Sequence, residues 1–411
     1  MIKLFNSKSF ILLLFLTNLA FGSKFQGYFS TNTYTFSRQN QEDSTLIHTR
    51  FYQSVWLQGR DLLIKNSRLN VSGVFYTDPV NPFQNESVYQ IYNFNYSTSW
   101  FSQKMKVVMG RQFQYSVSDA GRMDGVSTNY TFRQFQLTGF IGSYVPATGM
   151  TDNPVENHFY GGEILWKKSK TFDVRLGYSD KSHARPVYRY GRRNIEVPPS
   201  IKQRIGLQSR LNRGNLTFYA RTRHQVRNFK LSDLILQTVY KGKRNQRLQN
   251  LVLEYNLREP RVPENSIFSV FDTYSSQEVS FKGRLLLSQQ LTGWFHIRQV
   301  FFNNDQSSFI SLGMGVKKYK LDLIHQNGYG GSSNRLVIGT YQSIGKLVLS
   351  SRISLGNYRL IEGDWSDLST LTISASYPIW KKFEISSEIQ VLKNKYYTND
   401  TRFQLGMKYR L

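Results

Sequence analysis

Residues 401–411, TRFQLGMKYRL, close the chain with an unbroken two-residue alternation. Phe403, Leu405, Met407, Tyr409 and Leu411 fall on one face of an extended segment, and Arg402, Gln404, Gly406, Lys408 and Arg410 on the other. The opposite end reads MIKLFNSKSFILLLFLTNLAFGS, with Lys3 and Lys8, an apolar run from Phe10 to Leu16, and a small-x-small site at Ala20-Phe21-Gly22. That is the layout of a secretory signal peptide, too short to span a bilayer, with cleavage expected before Ser23. Residues 1–22 are therefore expected to be a leader and 23–411 the mature domain. An exported chain ending in a strand that is apolar on one face points to an outer-membrane β-barrel. No cysteine follows the cleavage site, so a lipoprotein anchor is not expected.

Composition narrows the choice further. Mean hydropathy is −0.44, and beyond the leader no apolar run approaches the ~20 residues a membrane helix requires. A membrane-embedded mature chain must then be a closed sheet, because only closure satisfies every backbone group in hydrocarbon. The absence of cysteine excludes thiol catalysis, thiolate metal sites and a disulfide scaffold. Aromatic residues make up 15% of the chain, with 26 Tyr and 29 Phe, which suits interfacial girdles at both rims of a barrel. The 53 Lys and Arg against 27 Asp and Glu give a formal charge of +26. In an exported chain that balance indicates a lipopolysaccharide-facing surface or a lumen that favours anions, and no nucleic-acid partner is expected.

Segments of about ten alternating residues recur throughout, the dyad pattern of membrane strands. Residues 201–211 set Ile201, Ile205, Leu207 and Leu211 against Lys202, Arg204, Gln208 and Arg210. Residues 216–223 set Leu216, Phe218 and Ala220 against Thr217, Tyr219, Arg221 and Arg223. Segments 279–287, 291–301, 347–355 and 383–391 repeat the pattern. Connections alternate between short ones, such as 212–215, 343–346 and 378–382, and longer ones, such as 76–87, 113–122, 146–157, 179–199 and 257–276. Short periplasmic turns and longer external loops are the barrel arrangement. The expected fold is all-β: one closed antiparallel transmembrane barrel, even-numbered, of about 18–22 strands, without a separate plug domain.

If the apolar faces meet lipid, the opposite faces collect the cations, since a Lys or Arg at mid-depth on the lipid face costs ~2–4 kcal/mol. Arg50, Arg175, Lys202, Arg204, Arg210, Arg221, Arg223, Lys282, Arg284, Arg298, Arg352 and Lys408 are thereby expected to line the lumen. Segments 202–210 and 217–223 form a hairpin, so their polar faces read as a contiguous basic ladder interleaved by Tyr219. The carboxylates expected inside, Asp173, Glu254, Glu384 and Glu388, neutralise only part of it. Loop 179–199 carries Arg185, Arg189, Arg192 and Arg193 among Tyr188 and Tyr190. It reads as a constriction folded inward or a surface that binds anionic saccharide, or else as a solvated external loop touching lipopolysaccharide phosphate.

Val107–Phe132 reads VVMGRQFQYSVSDAGRMDGVSTNYTF. Gly110-Arg111-Gln112 ending one strand, followed by Met123-Asp124-Gly125 opening the next, resembles the alginate-export and related substrate-specific porin families. The resemblance covers this segment alone. It implies that Arg111 and Asp124 sit close together on adjacent strands and shape the lumen. Parity leaves that facing open, because Val107 and Met109 share the parity of Arg111.

Chemistry beyond passage is sparse. The six histidines, His48, His158, His183, His224, His296 and His325, show no metal-ligand spacing, and neither HExxH nor GxSxG occurs. No cofactor, metal or catalytic residue is expected. His48 and His296 are the candidate bases of an outer-membrane hydrolase, with lumen hydrogen bonding as their plainer role. The sequence thus reads as a non-enzymatic outer-membrane channel for small, anionic solutes. Its expected partners are outer-membrane lipid, lipopolysaccharide and the barrel-assembly machinery. A non-conducting barrel serving as adhesin or envelope anchor is the alternative.

Overall fold

A computed structural model describes residues 24–411 apart from 40–44, 63, 79–88, 147–155, 184–187, 191–192, 196–199, 244–245, 260–274, 304, 329–330, 361–362 and 395–399. The leader lies outside the described residues. The first strands are β1 (Lys24–Gln39), β2 (Thr45–Arg60), β3 (Ser67–Thr77), β4 (Tyr89–Trp100), β5 (Met105–Tyr115) and β6 (Ala120–Phe132). Next come β7 (Phe135–Val145), β8 (His158–Lys167) and β9 (Phe172–His183), then a small separate hairpin, β10 (Tyr188–Tyr190) and β11 (Arg193–Ile195). The chain continues through β12 (Ser200–Arg213), β13 (Leu216–Gln225), β14 (Leu231–Lys241), β15 (Leu248–Arg258), β16 (Ser276–Leu286) and β17 (Leu291–Phe301). It ends with β18 (Gln306–Val316), β19 (Tyr319–Gly328), β20 (Ser332–Ile344), β21 (Leu347–Arg359), β22 (Ser366–Trp380), β23 (Phe383–Lys393) and β24 (Asp400–Arg410).

Twenty-two of these strands form one sheet in which each pairs antiparallel with its neighbours. The sheet closes on itself through β1 and β24, from Tyr28 opposite Arg410 to Arg38 opposite Asp400. The expected even, single barrel is thus realised at the upper end of the expected strand range. A circular barrel of this strand number is about 40 Å across between backbones.

The two faces sort by parity. Ile141 is 67% exposed, Leu323 55% and Leu253 52%, all on the outer face, whereas Ser179, Ser280 and Asn256 are buried on the inner one. A continuous exposed aliphatic surface is stable only in hydrocarbon, where its exposure costs nothing. Trp100, Tyr130, Phe135, Tyr319, Trp380 and Tyr409 point outward near the rim where Lys24 and Leu411 lie, as one aromatic girdle. Tight turns close this rim. Arg133, Gly214, Lys317 and Gly345 each open a two-residue turn at φ between 50° and 59°. Positive φ at that position matches the twist of the flanking strands. The architecture is that of an outer-membrane β-barrel, with a rim of the short turns that such barrels place on the periplasmic side.

Candidate functional site

The connection between β5 and β6 is four residues long, Ser116-Val117-Ser118-Asp119, and it turns into the barrel. It lies on the lumen face of β8, β9, β12 and β13, where Ser116, Val117 and Ser118 are at most 1% exposed. The Val117 amide donates to Glu163 Oε2 at 2.8 Å, and Arg223 Nε donates to the Val117 carbonyl at 2.7 Å. Asp119 meets Lys181 Nζ at 3.1 Å and Arg204 Nη1 at 3.5 Å. Ser116 and Ser118 share a hydroxyl hydrogen bond at 2.9 Å, and the Ser116 amide donates to the Asp119 carbonyl. Beneath Asp119, Lys181 also lies over the Tyr144 ring, next to a small inward cluster of Met123, Phe140 and Phe159.

Two paired glycines make the seat. Gly177 and Gly206 face each other across β9 and β12. A Cβ on Gly206 would lie 2.6 Å from the Val117 carbonyl atoms, and one on Gly177 would lie 2.8 Å from Val117 Cγ1. Only hydrogen at both positions lets the connection approach the wall this closely.

Around the seat, Arg175, Lys181, Arg204, Arg221 and Arg223 face Glu163, Asp119 and Asp233. Arg175 pairs with Glu163 at 3.3 Å and Arg221 with Asp233 at 2.9 Å. Arg221 also donates to the Tyr115 hydroxyl at 3.3 Å. Burial alone would raise the Asp119 carboxyl, but Lys181 and Arg204 outweigh it and hold the group below its ordinary value. A carboxyl depressed in the folded state stabilises fully above its unfolded pKa, and this contribution is lost as pH falls through the folded one. Acidification below the ordinary carboxylate range, about 3.9, is therefore expected to release the connection. Conductance recorded from about pH 6 to about pH 3 should change on the acid side, and Asp119→Asn should abolish that dependence.

The expected lumen cations Arg50, Arg175, Lys202, Arg204, Arg210, Arg221, Arg223, Lys282, Arg284, Arg298, Arg352 and Lys408 all occupy inward-facing register positions. Their states differ. The hairpin read as an open basic ladder is largely engaged, since Arg204, Arg221 and Arg223 hold Asp119, Asp233 and the Val117 carbonyl. Arg50 faces Asp78 at 4.0 Å. Arg210 lines a recess of about 420 Å³ with Asn212, Thr217, Tyr219, Gln237 and Lys241. Lys282 and Arg284 on β16, Arg298 on β17 and Arg352 on β21 have no carboxylate at ion-pair distance among the described residues. Arg298 instead stacks on Phe309, 5.1 Å from the ring centre. Farther round, Ser350, Ser374, Ser376 and Ser386 make a small-hydroxyl wall beside Glu388 and Gln404.

Arg111 departs from its expected place. It meets Asp124 across β5 and β6 through two bonds, at 2.8 and 2.6 Å, as the porin resemblance implied. The pair lies on the outer face, however, and does not shape the lumen. Gln112, next to Arg111, faces inward and receives the Ser127 hydroxyl, whereas Met109 and Phe113, of Arg111's parity, are exposed outward. Arg185 and Arg192 lie outside the described residues, as do the side chains of Arg189, Arg193 and His48. His296 faces inward opposite Lys282, its ring tilted against Phe309.

The inward seat was not expected from the sequence. Segment 113–122 reads as a long external loop, but its strands run on to Tyr115 and resume at Ala120. The available signal was the glycine at 177 and at 206, each set among inward cations with no turn to explain it.

No family model matches the chain, and no curated protein does. Among solved structures, OccAB3 of Acinetobacter baumannii is similar over 94% of this chain and 100% of its own, at 10% identity and a TM-score of 0.43. OccK2 (OpdF) of Pseudomonas aeruginosa, determined in complex with glucuronate, is similar over 94% and 98%, at 9% identity and a TM-score of 0.46. The translocation pore of the P pilus usher PapC is similar over 94% and 99%, at 9% identity and a TM-score of 0.45.

Proposed function

We propose that this barrel is a passive channel for small anionic solutes, exported behind a cleaved leader formed by residues 1–22. The observation that carries this reading is the arc of Lys282, Arg284, Arg298 and Arg352 on the lumen wall, without carboxylate partners at ion-pair distance among the described residues. Guanidinium forks in a wet lumen attract carboxylate, phosphate or sulfate and repel cations. The seated connection occupies the β8–β13 side, so the solute path runs past the β16–β21 arc. On this reading the hairpin arginines hold the connection, and the arc sets the selectivity.

Reversal potentials in a planar bilayer under a salt gradient test it. The parent channel is expected to prefer anions, and converting Lys282, Arg284 and Arg352 to Glu should reverse that preference. The reversal should be strong at about 0.1 M salt and mild at about 1 M, as the Debye length falls from ~10 to ~3 Å. A cation-preferring parent, or a triple variant with unchanged selectivity, would make these residues structural. A correctly folded barrel without conductance would favour the anchor or adhesin instead.

A further inference from the structure

The formal charge of +26 is unevenly placed. Ten turns join the strands at the rim where Lys24 and Leu411 lie: 61–66, 101–104, 133–134, 168–171, 214–215, 242–247, 287–290, 317–318, 345–346 and 381–382. Eight of them carry cations, twelve among the described residues, against a single carboxylate, Asp61. All twelve are exposed, including Lys65, Arg133, Lys168, Lys317, Lys346 and Lys382. None has a carboxylate at ion-pair distance among the described residues. Among the described residues, the connections at the opposite rim mix both signs, as in Asp78, Glu156, Arg227, Lys230, Asp305 and Asp364.

We infer that this rim is a ring that binds anionic phospholipid headgroups of the periplasmic leaflet. Three features support lipid as the occupant. The cations run round the circumference, as a surrounding leaflet does, whereas a protein partner would call for a localised patch. They sit next to the outward aromatic girdle of Trp100, Tyr130, Phe135, Tyr319, Trp380 and Tyr409, which fixes the height of the headgroup layer. Lysine and arginine stems can lie back along that girdle while their charged ends stay wet. Each cation near an anionic surface adds to the attraction, so a ring of twelve is strongly biased toward such lipid even after screening.

The test uses the full-length mature barrel, extracted from mixed vesicles of phosphatidylglycerol and phosphatidylcholine, with the retained lipids counted by native mass spectrometry. The parent is expected to retain phosphatidylglycerol preferentially. Replacing Lys317, Lys318, Lys346, Lys381 and Lys382 with Gln should lower that preference at least about tenfold, and high salt should lower it in the parent. Replacing Arg227 and Lys230 at the other rim with Gln should leave it unchanged. Heat-modifiable gel migration verifies that each variant is folded. An equal preference in the five-residue variant, or no preference in the parent, overturns the inference. Salt-sensitive capture of soluble poly-glutamate by a parent without lipid preference also overturns it and assigns the ring to an acidic protein.

Discussion

Replacing Gly206 with leucine is expected to lift the 116–119 connection off the lumen wall and widen the conducting path. The side chain has nowhere to go while the connection is seated, because even its Cβ would meet the Val117 carbonyl at 2.6 Å. Unseating breaks the Arg223, Lys181 and Arg204 contacts to the connection and the Val117–Glu163 bond. Hydrogen bonds to charged groups contribute roughly 1.5–3 kcal/mol each, so the seat is lost at a cost of several kcal/mol while the barrel rungs stay intact. The freed cations then face the lumen, and anion conductance should rise. The chain has no cysteine, so Val117→Cys supplies a single thiol as reporter. Val117 is 0% exposed, and that thiol should resist labelling in the parent background but react readily once Gly206→Leu is added. A thiol that stays protected, with conductance unchanged, would mean that the glycine seat does not hold the connection.

The second large effect concerns the closing strand. Phe403 and Leu405 point outward on β24, opposite Thr35 and Thr33 of β1 and Ile389 and Ser387 of β23. Gln404 points inward between Tyr34 and Glu388. Arginine at mid-depth on the lipid face costs ~2–4 kcal/mol, so Phe403→Arg with Leu405→Arg should remove much of a typical folding stability of ~5–15 kcal/mol. Stable insertion should fail, seen as loss of the heat-modifiable band. Gln404→Arg should be tolerated, since the new cation gains Glu388 as a neighbour in a wet lumen. Equal tolerance at all three positions would contradict the assignment of faces.

Alternation carried most of the barrel, because a strand between lipid and water has only two environments and its sequence must declare both. Segment 201–211 shows this plainly, as every cation on its polar face points inward. Arg111 was harder. Its parity with Met109 places it outward, whereas the porin resemblance of the same segment placed it in the lumen, and the register of Gln112 with Met123 decides for parity. The seat of the 116–119 connection was beyond local reading. Its contacts join residues 46 and 106 positions apart, and four short residues, three of them polar, look the same whether they hang in water or lie on a wall. Nor did the hairpin's composition reveal that Arg204, Arg221 and Arg223 are engaged. Their partners come from three separate elements.

Closure through β1 and β24 also dictates how this protein can be made. The last rung joins Tyr28 to Arg410, so no partial translation product is a smaller barrel; every one is an open sheet with two unsatisfied edges. Pairing of such high sequence separation is intrinsically slow, and open edges invite aggregation while it is pending. The barrel can therefore close only after synthesis is complete. Loss of its final eleven residues would remove the seam itself. Once the seam is zipped, escape requires breaking a whole inter-strand rung in hydrocarbon, so the barrel's lifetime is set by a kinetic barrier.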